Sequence, residues 1–318
     1  MQRSKLNYIY FLISIIDLNI SYCICLDNNV IDVIVNKTPD IKVLNISGLT
    51  YQVTDNNFDM LSKLNNLENF DCSKCTEITD VSLLKLDQSS SFKLLILNMS
   101  CMLKITSKSI NCIIEKHCNS LVELNISLLK QKEIDNSAIK NLYKCSKLIN
   151  LNISGSNFED ISTIKSLKNL ISLNLSNINS VDNYNAIDFI SNHKLKVLRM
   201  SNCVSLTNDF LEHILNLSTT NLKLIELNRT PNLNDKLMMN IMEKFHPNLR
   251  IIRSSNLVWN NKNIGLTIPL KPIEFEKPFL KGMKKPTKKK QNDKNPISML
   301  NKFNEENEPK YLLDYYEI

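Results

Sequence analysis

One phrase of seven residues returns ten times along this chain, and that recurrence limits its folding more than any other feature. Leu121-Val-Glu-Leu-Asn-Ile-Ser127 reappears as Ile41-Lys-Val-Leu-Asn-Ile-Ser47, Leu148-Ile-Asn-Leu-Asn-Ile-Ser154 and Leu170-Ile-Ser-Leu-Asn-Leu-Ser176. Weaker copies begin at Ile15, Leu67, Leu94, Leu195, Leu222 and Leu249, so the ten starts stand 26, 26, 27, 27, 27, 22, 25, 27 and 27 residues apart. Units of this length cannot bury an apolar face alone. Stacked on one another, they share a continuous core.

Each copy has two halves. The first alternates apolar and polar residues, as a half-buried strand does. The second opens on a polar cap and continues as an apolar helical pattern. Ile78-Thr-Asp80 precedes Val81, Leu83, Leu84 and Leu86; Leu206-Thr-Asn-Asp209 precedes Phe210, Leu211, Ile214 and Leu215. Thr, Asp and Asn belong there because they accept hydrogen bonds from the free N–H groups of a helix's first turn. The expectation is an α/β solenoid over residues 15–264, with about ten parallel strands on a concave face and helices on a convex one.

A strand and a helix every 20–29 residues is the leucine-rich-repeat pattern. The long repeat, the Ile-Thr-Asp before its helix and the cysteines at fixed points resemble the cysteine-containing class of these repeats. That class occurs in F-box/leucine-rich-repeat proteins and in relatives of the antagonist of mitotic exit network protein. The resemblance covers about residues 12–264. It implies a non-enzymatic protein-interaction scaffold and, more finely, substrate recognition for an SCF-type ubiquitin ligase with Skp1 and cullin as partners. Two features depart from it. No F-box pattern is present, which removes the expected Skp1 dock, and Asn157–Ile161 in the short sixth repeat resembles the 22-residue repeat type instead.

Composition excludes several chemistries. Four glycines, Gly48, Gly155, Gly265 and Gly282, are too few and too scattered for a glycine-rich phosphate loop. None of the four histidines is paired with a nucleophile or carboxylate at motif spacing, so no catalytic residue, cofactor or metal is expected. His117, His193 and His246 stand just before repeat starts, where a histidine complements a helix C-terminus. Cys72-x-x-Cys75 looks like half a zinc site, yet both residues fall on repeat positions. Cys75 shares its position with Cys23 and Cys203, while Cys118 and Cys145 both lie three residues before a repeat start. All nine cysteines are therefore expected to be reduced and mostly buried, in an intracellular protein of the cytoplasm, the nucleus or both. The recurring Asn-x-Ser is read as part of the repeat and not as a glycan acceptor. The apolar stretch Tyr8–Leu26 contains Asp17 and Asn19 and fits the template, so it is read as the first repeat and no membrane contact is expected.

The candidate site comes from the position four residues after each repeat start. It reads Asn19, Asn45, Asp71, Asn98, Asn125, Asn152, Asn174, then Arg199, Glu226 and Arg253. The asparagines are expected to form a structural ladder, bonded from strand to strand. Where charge replaces them, Lys196, Lys223 and Arg250 join Arg199, Glu226 and Arg253 in a basic patch on the concave face. That patch is the expected protein-binding surface, and its partner should carry an acidic segment. The run Lys284, Lys285, Lys288, Lys289 and Lys290, together with this basic concave patch, offers a second possibility, binding of nucleic acid or another polyanion. Residues 1–14 are expected to form a partial cap, helix-like over 4–13. Residues 265–318 are expected to be a cap over 265–279 and then a lysine-rich, largely disordered tail.

Overall fold

The computed structural model describes residues 15–252. The chain divides into two units, Met1–Trp259 and Asn260–Ile318, and the described residues all lie in the first. Ten three-residue strands form one sheet in chain order: β1 (Asp17–Asn19), β2 (Val43–Asn45), β3 (Asn69–Asp71), β4 (Ile96–Asn98), β5 (Glu123–Asn125), β6 (Asn150–Asn152), β7 (Ser172–Asn174), β8 (Val197–Arg199), β9 (Leu224–Glu226) and β10 (Arg250–Ile252). Every neighbouring pair is parallel. From β1 to β9 the register follows the repeat, so that Asn45, Asp71, Asn98 and Asn125 stand side by side. The middle residue of each of β2–β9 is buried and its neighbours are at most half-exposed in most strands.

The asparagines explain why these strands stop after three residues. In each of the first seven repeats the Asn or Asp side-chain oxygen accepts the backbone N–H of the serine two residues later, at 2.9–3.1 Å. This is an Asx turn, which bends the chain out of the ladder. It also accounts for the recurring Asn-x-Ser. A ladder bonded from strand to strand was expected; these bonds run within each repeat instead. One bond passes between neighbouring ladder residues, Asn98 Nδ2 donating to Asp71 Oδ2 at 3.0 Å. One residue beyond that serine, the backbone turns left-handed in nine repeats, at Tyr22, Gly48, Lys74, Cys101, Leu128, Gly155, Asn177, Asn202 and Arg229. From Tyr22 to Asn202 its N–H donates to the next repeat, as Gly48 does to the Ser73 carbonyl at 2.9 Å.

The helical side is less regular than the sequence pattern. Helices of eight or more residues span Val30–Lys37, Asp80–Ser89, Ser107–His117, Asn183–Asn192, Asn208–Asn216 and Asp235–Phe245. The second repeat has a single turn, Asp55–Phe58, followed by 3-10 helix. The fifth and sixth repeats have 3-10 turns alone, at Asn136–Ala138, Leu142–Lys144 and Ser162–Ser166. The Thr-Asp signature serves two purposes. Thr79, Thr106 and Thr207 cap their own helices. The residue after the cap bonds forward to the next repeat. Asp80 accepts from Thr106 N at 2.8 Å, Thr106 Oγ1 at 2.5 Å and Ser109 Oγ at 2.5 Å. Asp55 makes the same three bonds to Thr79 and Ser82, and Asn183 accepts from Thr207 N at 2.9 Å.

One continuous apolar core runs from Val30 to Leu249. All nine cysteines are free, but burial is uneven: Cys72, Cys75, Cys118, Cys145 and Cys203 are buried, Cys101 and Cys112 intermediate, and Cys23 and Cys25 exposed. Cys75 and Cys203 each point the thiol at a strand-end carbonyl of the preceding repeat, Ile46 O at 3.3 Å and Leu175 O at 3.4 Å. Ser156 fills the same repeat position and donates to Ile126 O at 3.1 Å. A small residue with a donor suits that site, which is why cysteine recurs there. Burial pushes the Cys75 and Cys203 thiols up to about 12, so they stay protonated. His117 does not act as a cation at its helix end. His117 is buried, lies parallel to Phe92 and accepts the Leu94 N–H through Nδ1 at 3.3 Å. Burial, with Lys116 and Lys93 nearby, holds its pKa down to about 4. His193 is buried too, and its pKa is lowered.

The fold is a leucine-rich-repeat solenoid. The stretch Tyr8–Leu26 carries β1, and no described helix is long and apolar enough to cross a membrane. The expected caps at 4–13 and 265–279, the solenoid's end at 264, Arg253 and the lysine run from Lys284 to Lys290 lie outside the described residues.

Candidate functional site

Three rows of side chains cross the concave face, and each row is one repeat position read along the sheet. The residues one after each repeat start are linked strand to strand by backbone bonds, as Ile149 N to Val122 O and Ile171 N to Ile149 O, both at 2.8 Å. This row reads Lys42 and Glu68, paired at 2.9 Å, then Leu95, Val122, Ile149 and Ile171, then Lys196, Lys223 and Arg250. The four aliphatics are half-buried and the last three cations exposed. The second row, at the strand starts, includes Asn69, Ile96, Glu123, Asn150 and Ser172. The third is the asparagine row. Over β2–β8 the second and third rows line a groove of about 440 Å³, and the first row lies just before the strands, outside that lining.

The groove floor is polar. The Asn oxygens are occupied by the Asx turns, but the Nδ2 groups of Asn45, Asn125, Asn152 and Asn174 donate to no protein atom among the described residues. Each is half-buried and faces the groove. A ligand with carbonyl or carboxylate oxygens can therefore find donors there at one per strand. Among the described residues no group of three or more His, Cys, Asp or Glu could hold a metal ion.

The expected basic patch is assembled only in part. Arg199 Nε donates to Glu226 Oε2 at 3.1 Å, and both side chains are more than two-thirds covered. These two residues take over the asparagine position because a neighbouring hydroxyl replaces the Asx turn. Ser201 N donates to Ser176 Oγ and Asn228 N to Ser201 Oγ, each at 3.1 Å. Arg199 is thus spent within the fold, and Glu226 also accepts from Asn228 Nδ2 at 2.8 Å. Lys196, Lys223 and Arg250 are exposed and form no ion pair among the described residues. In the β9–β10 pair the register slips by one, so Ile252 stands opposite Glu226, where the repeat would place Arg253. The aliphatic stretch of the first row was missed from sequence. Its signal was present, as an apolar residue directly after four successive repeat starts.

No protein-family model matches the chain, and none of the curated proteins compared with it does. Among solved structures, it is similar to a chain of the yeast Rad7 and Elc1 complex at 15% identity, covering 83% of this chain and 86% of that one with a TM-score of 0.40. Two internalins of Listeria monocytogenes are also similar, both at 18% identity. The match to inlF covers 70% of this chain and 56% of that one with a TM-score of 0.47. The match to internalin C2 covers 66% and 88% with a TM-score of 0.42. This chain thus spans little more than half the length of the inlF chain.

Proposed function

We propose that this protein is a non-enzymatic scaffold that holds another protein against its concave sheet. The observation that carries this reading is the groove over β2–β8, lined by a row of amide donors with no partner among the described residues, with a half-buried aliphatic strip at the residues just before β4–β7. Apolar strips with a few convergent polar groups are what recognition surfaces need: burial supplies affinity and the donors supply register. The finer reading is substrate recognition for an SCF-type ubiquitin ligase, which the cysteine pattern at Cys75 and Cys203 supports. The buried, protonated thiols also favour an intracellular address.

The test is affinity purification of the full chain with mass spectrometry, run beside an Asn150→Arg, Ser172→Arg variant. Both side chains face the groove and neither makes a side-chain hydrogen bond among the described residues, so the fold should survive. Loss of a specific set of partners from the variant is the expected result, and Skp1 or a cullin in that set would support the ligase role. An unchanged set of partners would reject the concave groove as the binding surface.

A further inference from the structure

The edge of the sheet where each strand begins carries a charge pattern separate from the groove floor. At the residue or two before the repeat starts stand Lys93, Lys147, Lys168 and Lys194, all exposed. Lys196, Lys223 and Arg250 continue the line one residue after the last three starts. None of the seven forms an ion pair among the described residues. From the fourth repeat to the tenth, the two residues before each start, the start itself and the residue after it include no Asp or Glu.

Compensation of helix dipoles does not account for the line. Lys147 and Lys168 follow the fifth and sixth repeats, whose helical parts are 3-10 turns of three to five residues with little dipole to offset. Next to the lysines run Leu95, Val122, Ile149 and Ile171, half-buried and aliphatic. The exposed aromatic residues Tyr22, Tyr51, Tyr143 and Tyr184 lie elsewhere in the repeats. A single-stranded nucleic acid would need aromatic faces for its bases. Aliphatic rows instead fit the apolar side chains of a peptide.

We propose that this strand-entry edge binds an acidic peptide segment with interspersed Leu, Ile or Val, its carboxylates on the lysine line and its apolar side chains over Leu95–Ile171. The proposal rests on the scaffold reading and adds the chemistry and path of the partner. Neighbouring strands lie about 4.8 Å apart, so the edge from β4 to β10 is about 30 Å long and accommodates roughly nine extended residues.

A display library of random peptides of about twelve residues, long enough to span that edge, should be selected against the full chain. The peptides recovered should then be titrated by fluorescence anisotropy. We expect sequences rich in Asp and Glu between aliphatic residues. Their affinity should fall about ten-fold or more in a Lys147→Glu, Lys168→Glu, Lys194→Glu variant, from three lost ion pairs, and should fall with added salt. Far-ultraviolet circular dichroism should be unchanged, since these side chains make no hydrogen bond or ion pair among the described residues. An Ile149→Ser variant should weaken the same peptides while leaving their salt dependence intact. Selection without acidic bias, or equal affinity for the triple variant, overturns the edge while leaving the scaffold reading in place. Failure to recover any peptide overturns the edge as well; the scaffold reading falls with it only if the groove-blocked variant also keeps every partner. Tighter binding of an oligothymidine than of any selected peptide would assign the line to nucleic acid and reject the proposal.

Discussion

At Gly48 the backbone has φ +71°, and an added β-carbon would sit 2.6 Å from Cδ1 of Tyr22, whose ring lies across the turn and reaches to 5.3 Å from the Lys74 ammonium. Gly155 stands in the same relation to Leu128, at 2.8 Å. Seven other repeats place non-glycine residues in this left-handed position, so the angle alone does not demand glycine. The large neighbour does. Gly48→Ala should cost about 2–3 kcal/mol in urea unfolding, and only about 1 kcal/mol in a Tyr22→Ala background, where the backbone term is all that remains. Equal costs in both backgrounds would remove the ring from the explanation. His117 supplies a second prediction. Its pKa falls from the ordinary 6.5 to about 4 on folding. The folded state therefore binds fewer protons between those values, and stability should be complete above pH 6.5 and decline as pH falls toward 4. A shift of that size corresponds to about 3 kcal/mol. Urea titrations across this window should show a steeper pH dependence in the wild type than in His117→Gln; parallel curves would contradict the buried neutral imidazole.

Each helix start is tied to the next by the residue that follows its cap. Asp80 receives three bonds from Thr106 and Ser109, so Asp80→Ala should destabilise by about 2–4 kcal/mol through lost charge-assisted bonds. Asp80→Asn should cost less, because Asn183 already makes such a link to Thr207 N and Oγ1. Thermal unfolding of both variants decides this, and equal losses would show that the charge itself carries the link. Burial alone would raise the pKa of Asp55, yet bonds from Ser82 and Thr79 outweigh it and lower the pKa, so this link weakens only as pH falls below the carboxylate range. Much of the element scale was legible from sequence. The apolar alternation gave the strands, and Thr79, Thr106 and Thr207 marked helix starts. The forward link was not legible, because its partners lie 24–29 residues downstream. Nor was the shrinking of the fifth and sixth helices to 3-10 turns. The segment after Asp135 keeps its cap and its apolar residues but fits them to a tighter turn.

Across the solenoid, repeats of nearly one sequence build a sheet whose two ends differ in charge, whose floor is polar and whose middle strands are each preceded by an aliphatic residue. The asparagine row was visible in the sequence, but its bonding was not, since an Asx turn and a ladder bond place the same residue at the same position. The basic patch was half visible. Lys196, Lys223 and Arg250 are exposed as expected, whereas Arg199 is paired with Glu226. Charge reversal at Arg199 would therefore disturb the fold as well as binding, and the exposed lysines are the cleaner targets. The most direct test of the scaffold account is hydrogen exchange on the full chain, alone and with a partner retained in affinity purification. The account predicts slowed exchange concentrated in β4–β7 and the turns that follow them, with the helices Asn208–Asn216 and Asp235–Phe245 unchanged. Protection confined to the helical face, with the strands unaffected, would contradict it.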